Sequence, residues 1–173
     1  MVSFIRAWLR KNEGATAVEF ALVAVPFVFL IIGTIEIALV FTVQSVLQES
    51  TFTASRMIRT GQIQQGAAGD PETAFRESVC DFAAILIPCG EIEFQVEALP
   101  SFSEAQDRPP EFDGDGNLLN TGFDPGGASD VVLVRVAYNY PIRTPLMRPV
   151  LSNLGGGKRA MLATTIFRTE PYE

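Results

Sequence analysis

Glu13-Gly14-Ala15-Thr16-Ala17-Val18-Glu19-Phe20 runs directly into ALVAVPFVFLIIGTIEIALVFTV, residues 21–43, and that junction decides the fold. From Phe20 to Val43 there are 24 residues with Glu36 as their only ionisable group. A helix of that length crosses a hydrocarbon core of roughly 30 Å. Glu19 stands at the mouth of the run, five residues past Gly14. A carboxylate there is costly unless something pairs with it. A cut between Gly14 and Ala15 would supply the partner: the freed α-amino group of Ala15 lies one helical turn from Glu19, on the same face.

The flanking charges orient the segment. Arg6, Arg10 and Lys11 precede it, and no basic residue follows until Arg56. The positive-inside rule puts the N-terminus in the cytoplasm and the bulk outside. Residues 1–14 read as a leader, with Phe4, Ile5, Trp8 and Leu9 spaced to lie on a membrane surface. A secretory signal would have a shorter apolar core and a small-residue cleavage site after it, whereas this run is long and ends in Phe41-Thr42-Val43-Gln44. A plain signal anchor fits the length, but each acidic residue on an isolated anchor costs ~2.5–3 kcal/mol near the helix centre. Glu19 and Glu36 therefore imply neutralisation or a protein neighbour.

Glu19, Pro26 and Gly33 recur every seven residues, within a stripe of about 40° on a helix. Pro26 removes a backbone donor and leaves the Leu22 carbonyl short of its partner, which predicts a bend or local unwinding. Gly33 thins the helix enough for another backbone to approach. With Glu36, these positions make a candidate packing face. Helical periodicity continues past the membrane through Val43, Val46, Leu47, Ser50, Ala54 and Met57. Gly61 is a natural stop. The expectation is one helix from Ala15 to Thr60, about 69 Å long. It divides into a membrane span (residues 15–43) and an extension beyond it (44–61).

Residues 62–173 read as an α+β domain outside the membrane. After the linker Gln62 to Gly69, Asp70 caps a helix that has Pro71 at its first position. Phe75, Val79, Phe82, Ala83 and Leu86 form its expected inner face, and Pro88 its expected end. Cys80 and Cys89 fall in an oxidising compartment by this topology, which favours a bridge over two free thiols. Their spacing is not that of a redox C-x-x-C pair. Ile92 to Ala98 alternates apolar with polar residues, as a half-buried strand does. Val131 to Tyr140 is nearly continuous in apolar and aromatic residues and predicts a central strand. Leu146 to Leu154 predicts a short helix broken by Gly155-Gly156-Gly157, and Met161 to Arg168 a third strand. A small antiparallel sheet packed on the long helix is the expected architecture.

The stretch RKNEGATAVEFALVAVPFVFLIIGTIEIALVF resembles the N-terminus of TadE-like (TadE/TadG) minor pseudopilins of tight-adherence, Flp-type pili. The matching pieces are Glu13-Gly14-Ala15 before Glu19-Phe20, Pro26 within the run, and Gly33-Thr34-Ile35-Glu36 near its end. The resemblance implies a pilin-like domain and cleavage after Gly14 by a prepilin peptidase. It implies insertion in the bacterial inner membrane with the domain periplasmic. Other pilin or pseudopilin subunits and an inner-membrane assembly platform would be the partners, along with the lipid bilayer. Glu19, with Phe20 beside it, would correspond to the residue that pairs with a subunit N-terminus. The size of the domain argues for a minor subunit, because major Flp pilins are much shorter.

Charge and composition narrow the alternatives. The first fourteen residues carry a surplus of +2 on a chain of net −7, so the remainder stands at −9. An acidic body is no nucleic-acid binder. With no histidine, no G-x-S-x-G elbow and no phosphate loop, an enzyme is disfavoured and no cofactor is expected. The connection from Pro100 to Asp130 holds Asp113, Asp115, Asn117 and Asp124 at spacings that faintly resemble a calcium loop. Its sixth position is Leu118 where glycine is required, so a solvated turn is the plainer reading. The leading function is a structural subunit of a pilus or related secretion apparatus. The alternative is a membrane-anchored binding module that enters no filament.

Overall fold

The computed structural model describes residues 14–66 and 69–172. The leader reading for residues 1–13 lies outside them. Helix α1, Ala15–Arg59, spans 45 residues without interruption, about 68 Å at 1.5 Å per residue. No local unwinding marks Pro26; the helix is continuous through that position. Hydroxyls along α1 fold back on the preceding turn: Thr34 Oγ1 donates to the Leu30 carbonyl and Thr42 Oγ1 to the Ala38 carbonyl, each at 2.8 Å. These bonds hide polar side chains in an apolar run. Arg56 and Arg59 occupy the last turn, where cations suit the helix dipole. Gly61 then turns the chain at φ +77°, with the Tyr172 ring so close that a Cβ would meet it at 2.6 Å. Only glycine satisfies both conditions.

A one-turn helix, Gln62–Gln65, follows within the expected linker, tucking in Ile63. Helix α2, Pro71–Ala83, starts as its sequence dictates: Asp70 Oδ2 accepts from the Thr73 amide at 3.1 Å and the Thr73 hydroxyl at 2.9 Å. Its inner face is Phe75, Val79 and Ala83. The expected inward positions Phe82 and Leu86 are instead exposed, and Ile87 is buried in their place. Leu86 falls beyond the early end of the helix at Ala83, five residues before Pro88, where the turn redirects it; Phe82 lies within the helix and is exposed all the same.

The sheet has three antiparallel strands in the order β1-β2-β3: β1 Ile92–Leu99, β2 Val131–Pro141 and β3 Lys158–Arg168. Ile92 pairs with Tyr138, and Tyr138 with Met161. The central strand β2 is buried on both faces, which accounts for its lack of alternation. One sheet face packs against α1 and α2 through Phe94, Val96, Val134, Val136 and Ala163, with Phe75, Leu47 and Ile58 opposite. Phe75, Phe94 and Phe123 form an aromatic triad with centroids 5.4 to 6.2 Å apart. The connection between β1 and β2 covers the other face, over Leu99, Val131 and Leu133. The expected helix at Leu146–Leu154 is shorter, a 3-10 turn Pro145–Met147 running into Arg148–Leu151.

Candidate functional site

Gly33 divides α1. From Thr16 to Ile32 the helix is exposed, with Ala24 alone half-covered. From Gly33 onward one stripe is buried: Gly33, Glu36, Val40, Val43, Leu47, Ser50, Ala54 and Ile58. Those positions step by three and four, the spacing of one helical face. The domain therefore docks on α1 ten residues below the end of the apolar run, about 15 Å along the axis. The uncovered stretch of 17 residues still reaches about 25 Å, nearly a bilayer core.

The docking centres on Glu36, which is 2% exposed. Its carboxylate accepts the Arg143 amide at 2.9 Å on Oε1, and the Thr144 amide at 3.2 Å and hydroxyl at 2.7 Å on Oε2. These donors come from the loop leaving β2, 107 and 108 residues away in sequence. Met147 of the same loop closes over Gly33, where an added Cβ would meet its sulfur at 3.4 Å. Two backbone amides and a hydroxyl, all charge-assisted donors, thus satisfy the intramembrane-looking carboxylate within one chain. The neighbour that Glu36 requires is the protein's own domain, and what approaches Gly33 is a thioether.

Glu19 has the opposite surroundings. It and Phe20 lie on the exposed face of α1, Phe20 at 72% exposure. Among the described residues no hydrogen bond or ion pair engages the Glu19 side chain. Gly14 precedes the first helical residue, and nothing stands within 4 Å of a Cβ placed on it. Pro26 is likewise exposed. Gly14, Glu19, Phe20 and Pro26 belong to the free half of the helix, while Gly33 and Glu36 belong to the docked half.

Cys80 and Cys89 form a disulfide with Cα atoms 5.6 Å apart, bracing the turn between α2 and β1. Asp113 organises its own turn: Oδ1 accepts the amides of Asp115 and Asn117 at 2.9 and 2.8 Å, and Oδ2 the Asn117 side-chain amide at 2.8 Å. Those bonds from Asn117 hold the Asp113 carboxyl below its ordinary pKa. Asp124 is bound elsewhere, through its amide to the Val96 carbonyl and its carboxylate to the Gly126 amide. Among the described residues no group of three acidic or thiol side chains is placed to hold a metal ion. Asp113 is engaged by its own turn, and Asp124 by a different stretch of backbone. On the outer sheet face, Arg135 is buried and donates to Gln95 and to the Arg108 carbonyl. Burial lowers its pKa.

Sequence reasoning found Glu36 and Gly33 but missed their partners. Thr144 and Met147 carry no local signal; only the position of Thr144 after the apolar Tyr140-Pro141-Ile142 marks a strand end.

A long apolar helix with one half bare and the other half holding a small α+β domain is compatible with single-pass membrane anchoring. Among the described residues α1 is the only helix long and apolar enough for that. Residues 14–56 match the family model of the TadE-like protein, about a quarter of the chain. The match begins at Gly14 and takes in both the bare half of α1 and the docked half through Arg56. TadE-like proteins are a structural and assembly family of the tight-adherence pilus system, and the likeness to them is confined to this segment. No curated protein and no solved structure matches the chain.

Proposed function

We propose that this protein is a minor pseudopilin, cleaved between Gly14 and Ala15 by a prepilin peptidase and acting in assembly of Flp/Tad-type pili or a related secretion apparatus. The observation that carries the reading is the bare half of α1: 17 residues without domain cover and a carboxylate, Glu19, without a partner among the described residues, within the segment that matches TadE-like proteins. An apolar helix face is covered by lipid before assembly and by sister helices after it. Leader removal frees the Ala15 amine, which pairs with Glu19 within or between subunits. Orientation follows from the charge asymmetry: N-terminus cytoplasmic, domain periplasmic, in the inner membrane. The peptidase, other pilin-type subunits and the inner-membrane assembly platform are the partners.

The test is N-terminal sequencing of the protein from cells with and without the prepilin peptidase. The mature product should begin at Ala15 in the first case and retain the leader in the second. Glu19→Ala should leave cleavage and insertion intact and abolish or sharply reduce piliation. Normal piliation by that variant would remove the pairing mechanism. A product that keeps its leader in both strains would leave a tethered extracytoplasmic module. The Glu36 clamp also suits that module, because it completes the docked half of α1 within one chain.

A further inference from the structure

We infer that the loop joining β2 to β3 rests on the surface of the bilayer that α1 crosses, inserting Leu146 and Val150 among the lipids. Met147 sits on Gly33, and the Arg143 and Thr144 amides bond Glu36. This loop is therefore pinned to α1 inside the apolar run, next to the bare segment ending at Ile32. Leu146 and Val150 flank that anchor and are 70% and 75% exposed. Two large aliphatic side chains held in water beside a membrane helix are unfavourable. Insertion into an interface removes that apolar surface from water.

Charge points to the same occupant. From Pro141 to Ala160 the chain carries Arg143, Arg148, Lys158 and Arg159 and no acidic residue. The chain beyond Gly14 is otherwise strongly acidic. Basic groups beside exposed aliphatic ones form the pattern of an interfacial anchor on anionic lipid. The acidic turn at Asp113 packs on this loop from the outer sheet face, where Asn139 donates to the Gly116 carbonyl and a Cβ on Gly116 would touch Leu154 at 2.4 Å, and Glu91 and Glu93 share a cleft with Lys158. The turn after α2 adds Ile85, 85% exposed, at the same end of the sheet, since β1 begins there opposite Tyr138. The inference rests on membrane anchoring through α1 and is independent of pilus assembly.

The experiment uses the full chain with its single tryptophan removed (Trp8→Phe), reconstituted into phosphatidylcholine/phosphatidylglycerol vesicles. Three probes are placed one at a time: Leu146→Trp, Phe27→Trp within the bare helix, and Phe102→Trp beyond the opposite end of the sheet. Emission is compared in vesicles with plain and with acyl-chain-brominated lipid. Bromolipid should quench the Phe27→Trp and Leu146→Trp probes and leave the Phe102→Trp probe unchanged. Quenching at position 27 without quenching at 146 overturns the inference while anchoring stands. No quenching at either overturns both. A blue-shifted, unquenched probe at 146 means that a second copy covers the loop, and also overturns it.

Discussion

Glu19 and Glu36 are both carboxylates in one apolar helix, seventeen residues apart, and they meet opposite fates. Glu36 has three donors from its own chain and almost no exposure. Glu19 has exposed surroundings and, among the described residues, no partner at all. A buried charge that is fully hydrogen-bonded is a structural element, and its removal strands the donors around it. A bare charge at the edge of an apolar surface waits for something outside the fold. The same residue type in the same helix therefore serves the subunit's integrity at one position and, in our proposal, its assembly at the other.

The comparison breaks first at Glu36. Glu36→Ala leaves two backbone amides without acceptors and removes three charge-assisted bonds. We expect a loss of about 3–5 kcal/mol, since each stranded donor costs about 1–3 kcal/mol. Chemical denaturation in detergent micelles measures it. Glu19→Ala in the same assay should lie within about 0.5 kcal/mol of the native chain. Equal losses from the two substitutions would erase the distinction.

The disulfide comes next. Cys80→Ser with Cys89→Ser opens a small loop of nine residues' separation, worth roughly 2–3 kcal/mol by loop entropy. This change acts on the domain and not on the docking. Denaturation should shift while bromolipid contact of the bare helix persists.

Gly33 sharpens the contrast through the sign of its effects. A single added Cβ meets the Met147 sulfur at 3.4 Å, and a thioether can swing aside. Gly33→Ala should therefore be neutral or stabilising by up to about 1 kcal/mol from helix propensity. Gly33→Leu overfills the notch and should cost about 1–3 kcal/mol. Thermal unfolding of the two variants side by side distinguishes them. If both destabilise alike, Met147 does not sit on this glycine.

Much of this arrangement was legible in the sequence because it is local. The uninterrupted α1, the Asp70–Pro71 start of α2, the alternation of β1 and the unbroken apolar run of β2 are set by neighbours a few residues apart. Glu36 announced its need for a partner, since an unpaired charge in an apolar run is anomalous by itself. The partner's identity stayed hidden because Thr144 lies 108 residues away, and two of the three donors are main-chain amides that every residue but proline possesses. Leu86 was misplaced for a related reason: helical periodicity cannot announce a helix that ends before its proline. The acidic loop carries two readings in one spacing. Asp113, Asp115 and Asn117 have the spacing of cation ligands, and that same spacing lets one aspartate close a turn on its own backbone.

That turn gives the smallest effect. The Asp113 carboxyl sits below its ordinary value because Asn117, first through its backbone and then through its side chain, donates to the ionised form. A group whose folded pKa is depressed contributes stability above its unfolded value of about 3.8 and loses it as pH falls through the folded value. The turn should hold unchanged from neutral pH down to about pH 4 and loosen only below it. The group is solvent-exposed, so global unfolding should barely register the change. The amide resonances of Asp115 and Asn117 report it directly, and Asp113→Asn should flatten their low-pH titration. A titration of those amides centred above the ordinary aspartate value would mean the turn is held by something other than the ionised carboxylate. It would reopen the acidic loop to a different reading from the one its hydrogen bonds support.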